Sequence, residues 1–229
     1  MKKYLNYKLY GKYFRFKAKY ILANLQLILF VYLYKKNFSK KKLFIDCGCN
    51  KGQGFNFFKR FFPLNKYDYI LLDPNPFIKN DIKTLIKNNS HGNIKFINKG
   101  ISTKNSEEYF WYPQDNKKAV GGTLYPHLNN STHNNNLKRK KVSLLKFEDF
   151  LLKYGKLYDE IILKIDVEGS EYKILDNMIK KNLFIKIKLI IIEFHSQYMK
   201  YNISQKYKKK EKIIKKILSK KKINCIEWI

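Results

Sequence analysis

From Leu43 onward the sequence predicts a doubly wound α/β fold, with a mostly parallel sheet and helices on both faces. Short apolar runs alternate with stretches of helical length, which is typical of βαβ units. Polar motifs follow the predicted strands, at the sheet edge where open α/β folds bind their ligands. No repeat or linker divides this stretch, so we expect one domain over residues 43–229 behind a leader of residues 1–42.

The individual elements follow from the same alternation. Predicted strands are short apolar runs, and predicted helices are longer amphipathic segments between them. Pro63 ends the first of these helices because proline cannot continue it. The predicted strands are 43–47, 69–73, 94–98, 159–166, 188–194 and 223–228, and the predicted helices are 54–62, 77–87, 146–154, 170–181 and 205–220.

Residues 103–141 interrupt the alternation and are interpreted as an insertion. The run EYFWY at 108–112 predicts an extra strand, and GGTL follows at 121–124. The run NNSTHNNN at 129–136 is polar and of low complexity, which indicates a loop. Loops this long within a domain are usually functional or disordered.

The leader contains one apolar run, YILANLQLILFVYLY at 20–34, with basic residues on both sides. It includes Asn24 and Gln26 and falls short of the roughly 20 apolar residues that a membrane-spanning helix needs. No small-residue cleavage site follows it, which argues against a signal peptide. We expect a helix packed on the domain, and peripheral membrane contact through residues 1–42 is the alternative.

The charge balance is unusual, with 48 basic against 18 acidic residues and a formal net charge of +30. Only Arg15, Arg60 and Arg139 are arginines, the residue type favoured for bidentate phosphate recognition. The chain is rich in Asn, Ile, Tyr and Phe and poor in Ala, a pattern typical of AT-rich coding bias. We expect a solvated lysine surface and keep nucleic-acid binding as the alternative.

The cysteines indicate a reducing compartment. Cys47, Cys49 and Cys225 do not form a disulfide framework, because the first two are too close in sequence for an ordinary bridge. No second cysteine pair is present to complete a zinc site. We therefore expect a cytoplasmic protein, with membrane association through the leader as the alternative.

The first polar motif is FIDCGCNKGQG at 44–54, a glycine-rich turn between a predicted strand and a predicted helix. Free N–H groups at a helix start attract anions, although a tight turn alone would also explain the glycines. The spacing Asp46-x-Gly48-x-Asn50-x-Gly52 differs from the dinucleotide fingerprint, and the GK[ST] of a P-loop is missing. An acid here would repel a pyrophosphate but suits a ligand with an amino group and a sulfonium cation.

Asp73 ends the second predicted strand within YILLDPNP at 69–76. A carboxylate at this place can accept hydrogen bonds from both ribose hydroxyls of an adenosine. An N-cap for the next helix is the alternative interpretation. The glycine-rich motif before it favours the ribose.

Several acids cluster in LKIDVEGSEYKIL at 163–175. Strand alternation places Lys164 and Asp166 on one face, and Glu168 follows in the turn. A solvated cap at a helix start explains Glu171 by itself. The other acids are difficult to explain as part of a core, which indicates a site.

The last motif is IIIEFH at 190–195, where Glu193 and His195 are predicted to share a face at a strand end. A histidine here can titrate near neutral pH and act as a base. A structural histidine is the alternative. Asp166 and Glu168 on a neighbouring strand favour the functional interpretation.

In this order, the motifs resemble those of the FkbM family of S-adenosylmethionine-dependent methyltransferases. FIDCGCNKGQG is similar to the family's D-x-G-A-N-x-G motif, and YILLDPNP is similar to its E-P-x-P motif. LKIDVEGSE is close to K-I-D-V-E-G-A-E, the most specific match, and IIIEFH resembles the last motif, which ends in E-x-H. GGTL resembles a small-residue and hydroxyl stretch in the middle of the family domain. The resemblance extends from about Leu43 to the C-terminus.

The resemblance implies a Rossmann-like methyltransferase fold that binds S-adenosyl-L-methionine. It further implies methyl transfer, usually to a hydroxyl of a sugar or other small molecule, with RNA-directed transfer as the alternative suggested by the charge. By position, the methionine end of the cofactor would be held by Asp46, Gly48, Asn50 and Gly52. Asp73 would hold the ribose.

On the acceptor side, the resemblance places Asp166 near the methyl group and Glu168, Glu193 and His195 beside the acceptor. Transfer from a sulfonium mainly requires alignment and removal of the hydroxyl proton. We expect His195 to be the base, followed by Asp166 or Glu168. No metal is expected, and a magnesium ion held by Asp166, Glu168 and Glu193 is the alternative. The insertion at 103–141 would select the acceptor.

The sequence also departs from the family pattern. Cys49 replaces the usual alanine, and Asp73 replaces a glutamate, which keeps the carboxylate but shortens its reach. Methyltransferases of this fold usually finish with two strands, whereas one is predicted here after His195. We expect either that the last strand is missing or that a strand of the insertion completes the sheet.

Overall fold

The computed structural model describes residues 2–34, 41–114, 121–126 and 136–228, with side chains from residue 17 onward. Its α-helices are α1 (Lys2–Tyr34), α2 (Gln53–Phe58), α3 (Lys79–Lys87), α4 (Phe147–Leu157), α5 (Glu171–Lys180) and α6 (Tyr201–Lys220). Its strands are β1 (Lys42–Cys47), β2 (Tyr67–Leu72), β3 (Ile94–Ile97), β4 (Gly100–Ser102), β5 (Ser106–Pro113), β6 (Leu137–Lys146), β7 (Glu160–Ile165), β8 (Ile187–Ile192) and β9 (Asn224–Glu227).

Six of these strands form the central sheet in the order β3-β2-β1-β7-β8-β9, and all neighbours are parallel. The chain builds outward from β1 in one direction and then from β7 in the other, so the predicted doubly wound fold is confirmed. Cys47 of β1 lies opposite Leu72 of β2 and Ile165 of β7, which aligns the carboxyl ends of these strands. Ligands of such sheets bind where the strand order reverses, between β1 and β7.

The sheet is buried on both faces, which explains why its strands are continuous apolar runs. In β1, Leu43 and Ile45 belong to one hydrophobic core, while Phe44 belongs to the other. Side chains of α4, α5 and α6 complete the first core, and side chains of α1, α2 and α3 complete the second. The helices are thus divided between the two faces, as predicted.

The insertion contains more regular structure than the sequence indicated. β4, β6 and β5 form a separate three-stranded sheet, in which β5 confirms the extra strand predicted at 108–112. β6 already begins at Leu137, within the segment interpreted as loop. In the described ranges no insertion strand joins the central sheet, so that way of completing it is wrong. Most of the polar run at 129–136 lies outside the described residues.

The first predicted helix, at 54–62, is shorter in the structure, where α2 ends at Phe58. The backbone tightens beyond this point, since the N–H of Phe61 donates to the carbonyl of Phe58 three residues earlier. This turn buries Phe62 against the ring of Phe44 on β1. The apolar spacing continues through the turn, which is why it resembled a longer helix in the sequence.

The apolar run of the leader belongs to α1, which packs on the domain through one narrow face, as we expected. Ala23, Leu27 and Phe30 are buried on this face in the second core. The ring of Tyr20 contacts Trp228, with 5.5 Å between centroids. Among the described residues, no helix combines the length and apolarity needed to cross a membrane.

The two faces of α1 predict opposite effects of similar substitutions. Leu27→Ala removes a buried side chain and should lower the free energy of unfolding by about 2–5 kcal/mol. Leu29→Ala, at a position that is 57% exposed, should change it by less than about 0.5 kcal/mol. Denaturant unfolding of both variants measures the difference, and equal losses would contradict the packing of α1.

Candidate active site

Lys164 is the centre of the carboxyl edge of the sheet. Its buried ammonium, on β7, donates to Asp46 Oδ1 at 2.9 Å, to the carbonyl of Gly48 at 3.1 Å and to Asp166 Oδ2 at 3.3 Å. Burial disfavours this charge, but Asp46 and Asp166 outweigh burial and raise the pKa of Lys164. One cation therefore joins the end of β1, the glycine loop and the end of β7.

The glycine loop after β1 contains two positions that require glycine. Gly48 has φ +82°, and an added Cβ would lie 1.6 Å from the carbonyl oxygen of Asp166. Gly52 has φ +88°, and an added Cβ would lie 2.1 Å from Leu85 of α3. Gly48 thus allows the loop to approach β7, whereas Gly52 allows it to pack on α3.

Asn50 and Asp73 meet across this loop. Asp73 Oδ2 accepts a hydrogen bond from the backbone N–H of Asn50 and Oδ1 accepts one from that of Asn75, each at 2.8 Å. Burial raises the pKa of Asp73 to about 6 against the effect of these two bonds. The N-cap interpretation of Asp73 is wrong, because Asn75 caps the following 3-10 turn by accepting from the N–H of Phe77.

Asp46 was predicted to contact the cofactor, but it lies inside the sheet, below the cleft. It is completely buried, pairs with Lys164 through Oδ1, and its Oδ2 has no hydrogen-bond partner among the described residues. Burial raises the pKa of Asp46, and the adjacent ammonium of Lys164 counteracts this rise. The geometry therefore shows Asp46 supporting the loop from inside the sheet.

A cleft opens at this edge, where the strand order reverses. Of the residues predicted for the site, those that line the cleft are Gly48, Asn50, Asp73, Asp166 and Glu168. Those that do not line it are Asp46, Gly52, Glu193 and His195. The structure thus divides the predicted site into a layer that faces the cleft and a layer that supports it.

Glu171 links the acids after β7 to the segment after β8. It is fully buried, so the solvated cap expected from the sequence is wrong. Its carboxylate accepts from the N–H of Gly169 at 2.8 Å and from the N–H of His195 at 3.0 Å, and it lies 3.3 Å from His195 Nδ1. His195 itself begins a 3-10 turn beyond the end of β8, rather than ending the strand.

The other ring nitrogen of His195 faces three further carboxylates. Nε2 lies 3.4 Å from Glu168 Oε2, 3.6 Å from Asp166 Oδ1 and 4.0 Å from Glu193 Oε1. Burial would lower the pKa of His195, but Glu171, Glu168 and Asp166 raise it to about 10. Burial raises the pKa of Glu193 to about 7, with a contribution from Asp166. His195, Asp166 and Glu168 are therefore brought together, as we expected from the sequence.

The same group has the composition of a metal site. One ligand atom from each of Asp166, Glu168 and His195 can be chosen so that all lie within 4.8 Å of one another. Carboxylate oxygens and an imidazole nitrogen suit divalent cations such as Mn²⁺ or Zn²⁺. The magnesium alternative drawn from the sequence included Glu193, whereas the structure offers His195 as the third ligand.

GGTL at residues 121–124, for which the sequence predicted no individual site residue, forms one wall of the cleft. Thr123 pairs with Trp111 of β5 through two backbone hydrogen bonds of 2.9 Å. Its hydroxyl donates to the carbonyl of Glu168 at 2.8 Å and so supports a residue with φ +50°. Only the resemblance of GGTL to a family motif could have pointed to this contact.

The parallel sheet, the glycine loop and the acids after β2 and β7 define a Rossmann-like α/β domain with a cleft at its switch point. The sequence model of the methyltransferase FkbM domain matches residues 46–213, and the chain therefore belongs to the FkbM methyltransferase family. This finding confirms the family expected from the motifs.

One solved structure is similar, that of methyltransferase FkbM from Methylobacillus flagellatus KT. The two share 14% identity with a TM-score of 0.38 over 63% of this chain. The chain spans about a third of that protein's length, with 30% of it covered. No curated protein shows a significant match.

The contacts of Lys164 predict a large loss of stability when its charge is removed. Lys164→Met should lower the free energy of unfolding by about 3–5 kcal/mol, because Asp46 would remain buried without a cation. The double variant Lys164→Met/Asp46→Asn should recover part of this loss. Denaturant unfolding measures both, and an undiminished loss in the double variant would show that the charge of Asp46 is not the cause.

Proposed function

We propose that the protein transfers a methyl group from S-adenosylmethionine to a hydroxyl of a sugar or another small molecule. The observation that carries this proposal is the convergence of the glycine loop, Asp73 and the Asp166–Glu168 turn on one cleft at the switch point. S-adenosylmethionine supplies a methyl group that is already activated on a sulfonium. The protein then has to align the acceptor and remove its proton.

The residues that line the cleft suit this cofactor. Asn50 Oδ1 is buried without a hydrogen-bond partner in the described ranges, which leaves an acceptor for a donor such as an amino group. Each carboxylate oxygen of Asp73 accepts one backbone N–H and retains a further acceptor site, as a ribose with two hydroxyls requires. The carboxylates of Asp166 and Glu168 favour a ligand that carries a positive charge.

We assign removal of the acceptor proton to Glu168, with Asp166 beside it. Both line the cleft, whereas the His195 ring is almost fully buried and does not. His195 faces carboxylates with both ring nitrogens, so it is held as a protonated donor and cannot take up another proton. Burial also raises the pKa of Glu168, which makes it a better base. His195 then acts as a positioning residue, although the sequence ranked it first as base.

The acidic lining of the cleft also bears on the acceptor. Asp73, Asp166 and Glu168 would repel the phosphates of RNA close to the reacting hydroxyl. A neutral sugar or other small molecule avoids this cost. We therefore retain a glycan or small molecule as the proposed acceptor, selected by the insertion that forms the wall at residues 121–124. Mass spectrometry of glycan, metabolite and RNA fractions incubated with isotope-labelled cofactor tests this directly, and label in RNA alone would overturn it.

Cofactor binding should depend on Asp73 and on pH. S-adenosylhomocysteine should bind in calorimetry and raise the melting temperature, whereas NADH should not. Asp73→Asn should weaken binding by about tenfold or more, because the two ribose hydroxyls lose their charged acceptor. The exposed Asp176→Asn variant is the control. Absence of binding to folded wild-type protein would refute the cofactor assignment.

The sign of the pH effect follows from the raised pKa of Asp73. Its carboxylate is charged above about pH 6 and becomes protonated below it. Affinity for S-adenosylhomocysteine should therefore be constant near neutral pH and fall as the pH drops through about 6. Titration calorimetry of wild type and Asp73→Asn measures this, and an identical pH dependence in the variant would exclude Asp73 as its source.

Catalysis should depend on Glu168 more than cofactor binding does. Glu168→Gln should lower turnover of the identified acceptor by roughly a hundredfold, the usual scale for loss of a general base, with cofactor affinity nearly unchanged. Turnover of the wild type should rise with pH as Glu168 loses its proton. His195→Asn should lower turnover but keep this ascending limb of the pH profile. Loss of that limb in His195→Asn would instead identify His195 as the base. Stimulation of the wild type by added Mn²⁺ or Mg²⁺ would favour the metal-assisted alternative.

A further inference from the structure

The outer face of α1 carries a large apolar surface that the domain does not cover. Seven large side chains of this helix are each more than half exposed, namely Ile21, Leu22, Leu25, Ile28, Leu29, Tyr32 and Leu33. They recur at spacings of three and four and so form one continuous stripe on the helix. Single exposed leucines are ordinary, but a contiguous patch of this kind marks an interaction surface.

Polar groups do not interrupt the stripe. Asn24 turns its amide back onto the helix, where Nδ2 donates to the carbonyl of Tyr20 at 2.7 Å. Gln26 lies at the side of the helix, where it lines a groove against β9 together with Phe30. The outer face therefore presents aliphatic side chains from Ile21 to Leu33, together with the aromatic ring and hydroxyl of Tyr32 near its end.

The surroundings of this face are strongly basic. Residues 1–45 contain twelve lysines and arginines and no acidic residue. Lys19 of α1 and Lys215 of α6 both pair with Glu227 at the end of β9, so these two lysines meet at the edge strand although their helices lie on opposite faces of the sheet. Leu22 and Lys215 line the same groove between α1 and β9. The apolar stripe thus belongs to a strongly basic segment, and Lys215 adds a further positive charge beside it.

We infer that the outer face of α1 docks on the surface of an anionic lipid membrane. Lipid acyl chains would cover the apolar stripe, and acidic headgroups would neutralise the lysines around it. The helix would lie in the plane of the interface, because Ala23, Leu27 and Phe30 hold its other face on the domain. The apolar run is also about 22 Å long as a helix, shorter than the roughly 30 Å of a bilayer core.

Other occupants fit these observations less well. A second copy of the chain would cover the stripe, but it would bring together two segments of residues 1–45 that have no acid to pair with. RNA would neutralise the lysines but leave the leucines and isoleucines in water. Of these three occupants, an anionic lipid surface is the one that satisfies the apolar and the basic parts together. The inference does not depend on the proposed acceptor.

Co-sedimentation of the full chain with vesicles tests this inference. We expect binding to vesicles in which about a third of the lipid is phosphatidylserine, and weak or no binding to phosphatidylcholine alone. Leu25→Gln/Leu29→Gln leaves the charge unchanged and alters only exposed positions of α1, and it should weaken binding by tenfold or more. The matched control is Leu152→Gln/Leu157→Gln on the exposed side of α4, which should bind like the wild type.

The other outcomes would overturn the inference. Vesicle binding that disappears at high salt and is unaffected by the α1 variant would show a purely electrostatic surface, as expected for a nucleic-acid binder. Self-association abolished by the same variant, without vesicle binding, would show that a second copy covers the stripe. S-adenosylhomocysteine binding, measured on the same samples, verifies the fold of each variant and separates a failure here from a failure of the proposed function.

Discussion

A single buried ammonium determines the geometry of the active edge. Asp46 and Lys164 lie directly opposite each other in the parallel register of β1 and β7, so their ion pair spans the point where the strand order reverses. The same ammonium binds the carbonyl of Gly48 and the carboxylate of Asp166. Because an unpaired charge is very costly at this depth, the ammonium of Lys164 and the carboxylate of Asp46 can only be buried together. The glycine loop and the acidic turn are therefore fixed relative to each other before any ligand arrives.

Charge is strongly segregated in this molecule. The chain carries a net charge of +30, yet acids dominate one edge of the sheet, where Asp166, Glu168, Glu171 and Glu193 surround a single imidazole. Their mutual repulsion is relieved by His195, held in its charged form by the carboxylates on both sides. Such an edge attracts cations, whereas most of the remaining surface attracts anions. The proposed cationic cofactor and the proposed anionic membrane would therefore meet different parts of the surface.

Much of this architecture could be predicted because a sheet that is buried on both faces requires strands that are continuous apolar runs. The central strands are largely apolar runs, and the acids that follow them sit at the edge of the sheet, where polar groups are tolerated. Glu171 shows where such reasoning fails, since an acid at a helix start has the same sequence context whether it is solvated or buried against His195. β6 was hidden for a different reason: its residues 138–141, after Leu137, are exposed lysines and an arginine, which resemble a loop in the sequence. Thr123 depends on pairing between distant segments, which no local pattern records.

The contact between Thr123 and Glu168 has a consequence for how acceptor preference can change in this family. The wall of the insertion and the backbone of the proposed base share one hydrogen bond, so a new wall also resets the position of the base. Replacing the insertion with that of a relative would therefore change the position of the proposed base as well as the acceptor preference. A replacement insertion would have to supply a hydroxyl that donates to the carbonyl of Glu168, as Thr123 does. A chimera without that hydroxyl would bind its new acceptor but methylate it poorly.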